Sequence, residues 1–433
     1  MLRTLLRSLD LRPVGLRSPG VRSVGLRHLA IVLAALFTAL GAFLVAPSES
    51  AVATTRVAAE PPAHWVGTWA AAPSKATALS CEDCSIRNVL HTTIGGRSVR
   101  VRISNALGVD PLTLGHASVA LPDAPGSPDV AAGSLRELRF GGRTAVTVPA
   151  GDSVLSDPVP LVVPARHDLL VTTYTPGQPA AFTFHAGAQQ YSYYSTGADR
   201  TTDPDGADFG HRMTSWYLVT EVSVSKGTAP GSVVAFGDSI TDGYGSALNA
   251  DHRWPDVLAE RLGALPPGQE RGVLNAGIGG NRILLDGDDF GPAALKRFDR
   301  DVLAQPGVRT VIVLLGINDI QQTPHQYDPD KIIAGLRELS DRAHAAGLRV
   351  MGATITPYKG WVSYEPAGEQ ARDTVNAWIR HSDAYDAVVD FDAVVRDPQD
   401  PDRIAPAYDL GDHLHPSDAG YAAMGKAVDL RQL

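Results

Sequence analysis

Ser239 is the first residue whose surroundings suggest chemistry. It lies in the sequence Gly-Asp-Ser-Ile-Thr-Asp-Gly, directly after the apolar run 233–236. A serine at a tight turn between a strand and a helix exposes its hydroxyl, and the helix directs backbone N–H groups and the positive end of its dipole toward it. Such a position suits a nucleophile that carries developing negative charge. An isolated serine at this turn could equally cap the helix.

A base and an orienting carboxylate occur together near the C-terminus, in the sequence Asp-His-Leu-His-Pro that begins at Asp412. Serine is a weak nucleophile until a base removes its proton, and the imidazole of His415 suits that role near neutral pH. Asp412, three residues earlier, could fix the tautomer of this imidazole. The alternative is a polar loop in which Ser417 or Asp418 caps the final helix. His413 is expected to point away from His415.

Two further segments offer hydrogen-bond donors that add no charge. The glycine-rich sequence Asn-Ala-Gly-Ile-Gly-Gly-Asn at 275–281 can bring backbone N–H groups close to a ligand. Asn318, in Gly-Ile-Asn-Asp after the apolar run 311–315, can donate from its amide to an oxyanion. Each segment also has a simpler interpretation, as a tight turn or as an Asx cap.

The elements that must position these residues form an alternating pattern. Apolar runs alternate with helical patterns, in the pairs 233–236 and 254–262, 273–276 and 295–303, 311–315 and 331–345, 348–353 and 370–380, and 387–391 and 419–428. Uninterrupted apolar strands are typical of a parallel sheet that is covered on both faces. Ligands bind beyond the carboxyl ends of such strands, where the polar segments lie.

The region before residue 226 has a different sequence pattern. Between residues 65 and 225, short alternating runs such as 99–103 are broken by Gly, Pro and Asp, which predicts a β-sandwich. Residues 226–232 have the composition of a linker. The chain is therefore expected to contain an all-β domain at 65–225 and an α/β domain at 233–433.

The N-terminal sequence indicates an export signal. Residues 1–53 contain six arginines and two acidic residues, an apolar run at 29–46 and the sequence Ala51-Val52-Ala53. This order is typical of a signal peptide cut after about residue 53, which predicts a secreted protein with a flexible start at 54–64. An uncleaved membrane anchor is the alternative, because the run approaches the length of a membrane span.

The charge of the remaining chain argues against nucleic acid as a partner. The whole chain carries -9 and residues 1–53 carry +4, so residues 54–433 carry -13. Nucleotide binding is also not expected. The segment 420–427 nearly matches a P-loop, but Ala427 replaces the required Ser or Thr and the segment lies in a predicted helix.

The four segments in their order resemble the SGNH/GDSL hydrolase family. The matching sequences are GDSITDG, NAGIGGN, GIND and DHLHP, and the resemblance covers roughly residues 233–430. It implies a flavodoxin-like three-layer sandwich with a parallel five-stranded sheet. It also implies hydrolysis of carboxylic esters through an acyl-enzyme, with no metal and no cofactor.

The resemblance also assigns roles to residues. Ser239 would attack the ester carbonyl, His415 would act as general base and then general acid, and Asp412 would orient His415. The backbone N–H groups of Ser239 and Gly280 and the side chain of Asn318 would hold the oxyanion.

The β domain resembles a jelly-roll-like domain that precedes the hydrolase domain in secreted actinobacterial GDSL proteins. It could bind glycan, wall the cleft or stabilise its neighbour, and walling the cleft is the favoured interpretation. The expected substrate is a lipid, a small ester or an acetylated carbohydrate. The alternative function is a noncatalytic glycan- or surface-binding protein on a retired hydrolase scaffold.

Three other features have structural interpretations. Cys81 and Cys84 are expected to form a small local disulfide. The acidic segment 286–289 lacks the spacing of a calcium loop and is expected to be a solvated turn. Tyr358, Trp361 and Tyr364 could line the site or pack between domains, and the sequence does not separate these roles.

Overall fold

The computed structural model describes residues 64–179, 181–227 and 230–433. The predicted leader at 1–53 and residues 54–63 of the predicted flexible start lie outside these ranges. In the described part of the chain, no helix combines the length and the apolar character that a bilayer span requires.

The region before residue 226 is β-rich. Its strands are β1 (Trp65–Ala70), β2 (Lys75–Thr77), β3 (Cys84–Thr92), β4 (Gly96–Ser104), β5 (Leu112–Leu114), β6 (His116–Ala120), β7 (Arg136–Glu137), β8 (Val146–Val148), β9 (Ser153–Leu155), β10 (Val159–Val163), β11 (His167–Thr175), β12 (Phe182–His185), β13 (Ser192–Ser195), β14 (His211–Met213), β15 (Trp216–Tyr217) and β16 (Val219–Ser225). Neighbouring strands pair antiparallel throughout this region.

Two larger sheets share one apolar core. One sheet has the order β1-β16-β4-β10 with β9 also on β4, and the other has the order β14-β13-β3-β11-β6-β7. In β4, Val99, Val101 and Ile103 are buried, whereas Arg100 and Arg102 between them are half-buried. The alternation in the sequence therefore places one face of β4 in the core.

Residues 216–224 are another of the short runs that predict a strand in this region, but they do not form a single strand. Leu218 has a φ of 65° and divides the run into β15 and β16. β15 pairs with β12, whereas β16 pairs with β1 and β4. Apolar periodicity continues across Leu218, so it gave no sign that the chain changes sheets there.

The region after residue 231 contains a parallel sheet. Its strands are β17 (Ser232–Gly237), β18 (Gly272–Gly277), β19 (Val308–Leu314), β20 (Arg349–Ala353) and β21 (Ala387–Val389). Their spatial order is β18-β17-β19-β20-β21, the doubly wound order in which the chain reverses direction across the sheet beside β17. The carboxyl ends of β17 and its neighbours therefore border a crevice.

Helices connect these strands. They are α1 (Ser239–Asp242), α2 (Trp254–Gly263), α3 (Ala294–Phe298) with a following π-helical turn (Asp299–Leu303), α4 (Ile317–Gln321), α5 (Pro329–Ala345), α6 (Pro366–His381), α7 (Phe391–Val395), α8 (Asp418–Ala427) and a final 3₁₀ turn (Leu430–Gln432). α2 and α7 pack on α8, whereas α3 and α6 pack on α5. The predicted helix at 295–303 thus divides into an α-helical and a π-helical half.

The sequence suggested that the segment with His415 follows the last strand of the sheet directly. The structure shows that it does not. α7 and a hairpin of β22 (Arg396–Asp397) and β23 (Asp400–Ile404) intervene. All three elements are short, and the two hairpin strands are also polar, so they lack the apolar runs that reveal the larger strands.

The β-rich region contacts the parallel sheet along β18. The backbone N–H of Gly67 donates to the carbonyl of Pro306 at 2.9 Å, and the N–H of Val273 donates to Thr93 Oγ1 at 3.0 Å. A Cβ on Gly272 would lie 2.0 Å from the carbonyl oxygen of Gly67. Glycine at 272 therefore permits the close approach of β1 to β18.

Candidate active site

Ser239 begins α1, two residues after the end of β17. The Asp238 carboxylate accepts a hydrogen bond from the N–H of Ile240 at 3.0 Å, so Asp238 caps this helix and the Ser239 hydroxyl stays available. Burial raises the pKa of Asp238 to about 7. The Ser239 Oγ lies 2.9 Å from His415 Nε2. The simpler interpretation of Ser239 as a cap does not hold in this structure.

Asp412 holds His415 from the other side. Its Oδ2 lies 2.7 Å from His415 Nδ1, and its Oδ1 accepts the backbone N–H groups of Leu414 at 3.0 Å and His415 at 2.9 Å. Burial alone would raise the pKa of Asp412, but the hydrogen bonds from His415 and from the two backbone groups outweigh it and lower the pKa to about 2. Asp412 is therefore ionised near neutral pH and can stabilise an imidazolium.

His413 points away from this pair. Its Nδ1 lies 2.6 Å from Asp409 Oδ2, and its φ of 70° turns the chain between Asp412 and Leu414. Ser417 accepts a hydrogen bond from the N–H of Gly420 and caps α8. The segment thus combines the expected cap with the His415–Asp412 pair, so the two interpretations do not exclude each other.

Three polar groups face the same cleft as Ser239. The N–H groups of Ser239 and Gly280 donate to no backbone carbonyl of the described residues, and both residues line the cleft together with Asn318 and His415. The Asn318 Nδ2 donates to the carbonyl of Asn281 at 3.1 Å, which leaves its second hydrogen free for a ligand. The structure therefore brings together the five residues predicted from the sequence: four of them line one cleft, and Asp412 contacts His415 from outside that lining.

Gly280 has a backbone that other residues adopt only with strain. Its φ is 72°, and a Cβ there would lie 2.3 Å from the ring of Phe290. The amide of Asn281 donates to the carbonyls of Phe290 and Pro292 at 2.8 and 2.9 Å and so holds the Phe290 loop beside Gly280. Gly280 lines the cleft, and so does the preceding residue Gly279.

Comparison with known proteins gives a family for this part of the chain. Residues 235–423 match the model of the GDSL-like Lipase/Acylhydrolase family. The match supports this family for the segment. We call residues 235–423 the GDSL-like segment below. No curated protein matches the chain.

Several solved structures resemble less than half of the chain. A putative lipolytic protein of the G-D-S-L family from Desulfitobacterium hafniense is 24% identical over 47% of this chain and 99% of its own, with a TM-score of 0.36. Est24, a carbohydrate acetylesterase from Sinorhizobium meliloti, is 19% identical over 45% and 95%, with a TM-score of 0.36. The aryl esterase of M. smegmatis is 19% identical over 45% and 94%, with a TM-score of 0.37.

Two glutamines that the sequence analysis did not single out orient Asn318 in the GDSL-like segment. The Nε2 groups of Gln321 and Gln322 donate to Asn318 Oδ1 at 2.8 and 3.0 Å. Gln321 Oε1 in turn accepts hydrogen bonds from Trp361 Nε1 and Ser363 Oγ, both at 2.9 Å. The amide of Asn318 is therefore held with its nitrogen toward the cleft. Gln321 and Gln322 follow Asn318 by three and four residues, which is one helical turn. This spacing was the sequence signal that could have identified them.

A buried arginine fixes the strand ends of the GDSL-like segment. Arg297 is 1% exposed, and its guanidinium donates to the carbonyls of Gly237 at 2.7 Å and Ala276 at 2.8 Å, to Asn281 Oδ1 at 2.9 Å and to Asp301 Oδ2 at 3.2 Å. The first three partners belong to β17, to β18 and to the glycine-rich loop, and Asp301 belongs to the π-helical turn. Arg297 thus holds the turn at Ser239 and the glycine-rich loop in a fixed relation.

The cleft has a volume of about 900 Å³ and two walls. The β-rich region supplies one wall with Lys75, Phe184, His185 and Gly187, and the GDSL-like segment supplies the other. Lys75 also forms an ion pair with Asp289 across the cleft. The β-rich region therefore walls the cleft, which was the favoured interpretation of its position.

Large apolar side chains lie at the mouth of the cleft. Tyr244 is 53% exposed, Leu248 46% and Phe290 44%. The ring of Tyr244 packs on His415 at 4.4 Å between centroids, and the Trp361 ring meets His415 edge-on at 6.1 Å. Of the three aromatic residues after β20, Trp361 lines the cleft, whereas Tyr358 is buried and packs against Tyr364.

The remaining sequence features have structural roles. Cys81 and Cys84 form a disulfide, as expected. Asp286 accepts the N–H of Ala293 at 2.9 Å and pairs with Lys296, which makes the acidic segment a capped turn. The segment that resembles a P-loop lies in α8, as predicted.

One group of side chains in the described part of the chain has the composition of a metal site. His91 Nδ1 lies 2.9 Å from Asp168 Oδ1 and 3.1 Å from Asp251 Oδ2. Burial alone would lower the pKa of His91, but the Asp168 hydrogen bond and the charges of Asp251, Asp168 and Asp256 outweigh it and raise the pKa. The raised pKa favours an ion pair of His91 with Asp168 and Asp251, an arrangement that needs no metal.

Proposed function

We propose that the protein is a serine esterase that hydrolyses carboxylic esters. One observation carries the proposal, the continuous hydrogen-bond chain from Ser239 Oγ through His415 to Asp412, with distances of 2.9 and 2.7 Å. A noncatalytic scaffold has no need to keep a serine, an imidazole and an ionised carboxylate in this order. The match of residues 235–423 to the GDSL-like Lipase/Acylhydrolase family supports the same class of reaction.

The first half of the reaction forms an acyl-enzyme. His415 Nε2 takes the proton of Ser239 Oγ while the oxygen bonds to the ester carbonyl carbon, and Asp412 stabilises the imidazolium. The carbonyl oxygen becomes an oxyanion, for which the N–H groups of Ser239 and Gly280 and the free hydrogen of Asn318 Nδ2 are available donors. The carbon–oxygen bond to the alcohol then breaks, and His415 gives its proton to the leaving alcohol.

The second half restores the enzyme. His415 takes a proton from a water molecule, whose oxygen bonds to the acyl carbon. The same donors stabilise the second oxyanion. The bond to Ser239 then breaks, His415 returns the proton to Ser239 Oγ, and the carboxylic acid leaves.

The cleft supports acyl lipids, small esters and acetylated carbohydrates as candidate substrates. Tyr244, Leu248 and Phe290 offer apolar contact area to an acyl or aryl group, whereas Gln322 and Asp242 offer polar contacts. We also propose that the protein is exported, because residues 1–53 have the composition of a signal peptide. The N-terminal sequence of the protein recovered from culture medium tests this second proposal.

The test of the function is turnover of p-nitrophenyl esters from acetate to dodecanoate. The wild-type protein should hydrolyse at least one of them, and Ser239→Ala should lower turnover by about 10³-fold or more with an unchanged thermal midpoint. Ser246→Ala is the matched control, because this buried serine lies seven residues away and contacts neither His415 nor the oxyanion donors. Equal turnover by wild type and Ser239→Ala, or no turnover at all, would reject the proposal.

A further inference from the structure

Asp242 places a second carboxylate at the wall of the cleft. It ends α1, three residues after Ser239, and only 5% of its surface is exposed. Its Oδ1 lies 2.9 Å from His185 Nε2. Its Oδ2 accepts no hydrogen bond from any described residue, although Asp242 lines the cleft. One oxygen of this carboxylate is therefore left for a group that the cleft binds.

His185 is the hydrogen-bond partner of the other oxygen of this carboxylate. It is the last residue of β12 in the β-rich region and is 4% exposed. Its Nδ1 lies 2.8 Å from the carbonyl oxygen of Ala72, and its Nε2 faces Asp242. A carbonyl can only accept, so Nδ1 carries a proton. Burial alone would lower the pKa of His185, but the charge and hydrogen bond of Asp242 outweigh it and raise the pKa, which favours the imidazolium form of His185.

The free oxygen of Asp242 is bordered by two glycines. A Cβ built on Gly187, from the β-rich region, would lie 2.8 Å from Asp242 Oδ2, and one on Gly279, from the glycine-rich loop, would lie 3.9 Å away. Both glycines line the cleft. The absence of side chains at these two positions leaves the oxygen accessible to a small polar group.

We propose that Asp242 accepts a hydrogen bond from a hydroxyl group of the substrate. The site would then favour esters of polyhydroxylated alcohols, such as glycerol or sugars, over esters of plain alkanols. The inference rests on the proposed esterase function. His185 already balances the charge of Asp242, so a neutral hydroxyl suits the free oxygen better than a second cation does. The hydroxyl would lie close to the reacting ester, because Asp242 is within one helical turn of Ser239.

The test compares two esters that differ only in hydroxyl groups. Glycerol monoesters and n-propyl esters share a three-carbon alcohol and can carry the same acyl group, chosen as the one that wild type hydrolyses fastest. The ratio of their kcat/KM values measures recognition of the hydroxyls. Wild type should prefer the glycerol ester by about tenfold or more, and Asp242→Asn should lower this ratio to near one.

Asp386→Asn is the matched control, because this carboxylate also pairs with a histidine, His344 at 3.0 Å, but does not line the cleft. It should leave the ratio unchanged. A wild-type ratio near one overturns the proposal without the need for any variant. An equal loss of turnover for both esters in Asp242→Asn also overturns the proposal, because Asp242 would then have only a structural role. No turnover of either ester by wild type would reject the esterase function itself, whereas turnover without discrimination rejects only the role of Asp242.

Discussion

The residues proposed to do the chemistry depend on neighbours that have no chemical role themselves. Ser239, His415 and Asn318 belong to segments whose residue types suggest a role, and the sequence was sufficient to predict that they meet. Gln321 carries no such mark, because a glutamine in a helix is ordinary, and the sequence offered Trp361 only as a residue that could line the site or pack between domains. Their roles appear only once folding places Trp361 Nε1 and Asn318 Oδ1 on opposite ends of the Gln321 amide.

Gln321→Leu should expose this positioning role. It removes a donor to Asn318 Oδ1 and leaves Gln322 as the remaining one, so the Asn318 amide should turn more freely. We expect kcat to fall by about tenfold with little change in KM, whereas Asn318→Ala should lower kcat by about 10²- to 10³-fold. Steady-state kinetics on the two single variants and the double variant check this.

The double variant separates positioning from structure. If Gln321 acts through Asn318, Gln321→Leu should have almost no further effect when residue 318 is already alanine. An equal loss of kcat in both backgrounds would contradict the positioning role.

At the scale of elements, the large strands and helices were predictable and the small ones were not. β17, β18, β19 and β20 are apolar runs buried on both faces, and the long helices have apolar stripes that match the observed packing. The hairpin before His415 has neither signal, and the π-helical turn after α3 was predicted only as part of one helix at 295–303. Arg297 connects this turn, through Asp301, to Gly237 and Ala276, which lie farther away in the chain.

Arg297→Met should show how strongly one side chain holds these elements together. It leaves the carbonyls of Gly237 and Ala276 without their buried donor and removes one partner of Asp301. We expect the free energy of unfolding to fall by about 3 kcal/mol or more. Urea unfolding measures this change.

Arg300→Met is the matched control for Arg297→Met. Arg300 also pairs with Asp301, at 2.6 Å, but its side chain is 31% exposed and makes no contact with the strand ends. Arg300→Met should therefore lower the free energy of unfolding much less than Arg297→Met does. If the free energy of unfolding falls by similar amounts in the two variants, the ion pair with Asp301 stabilises the protein, and the hydrogen bonds of Arg297 to the strand ends do not.

At the scale of the whole described chain, the β-rich region and the GDSL-like segment build one cleft between them. The sequence predicted a β-rich region and a parallel sheet. It could not predict which face of the β-rich region meets the sheet, because the contact residues lie in short strands without a motif. His185 illustrates this, since it stands in a four-residue strand and pairs with Asp242, 57 residues later.

The His185–Asp242 pair gives the stability of the protein a pH dependence. The pKa of His185 is raised in the folded state, so the pair contributes stability below the ordinary pKa of histidine and loses it as pH rises through the raised value. We expect wild type to be more stable than His185→Gln at about pH 6 and this difference to shrink toward about pH 10. Urea unfolding of both proteins across this range tests it, and a difference that grows with pH would contradict the charged pair.

The central claim is that Ser239 is a nucleophile activated by His415, and covalent labelling tests it most directly. A fluorophosphonate bonds to an activated serine and releases fluoride, and mass spectrometry of the digested protein locates the label. We predict one phosphonylated residue, Ser239, with labelling abolished in Ser239→Ala and strongly slowed in His415→Ala. Labelling at another serine, or undiminished labelling of Ser239→Ala, would contradict the account.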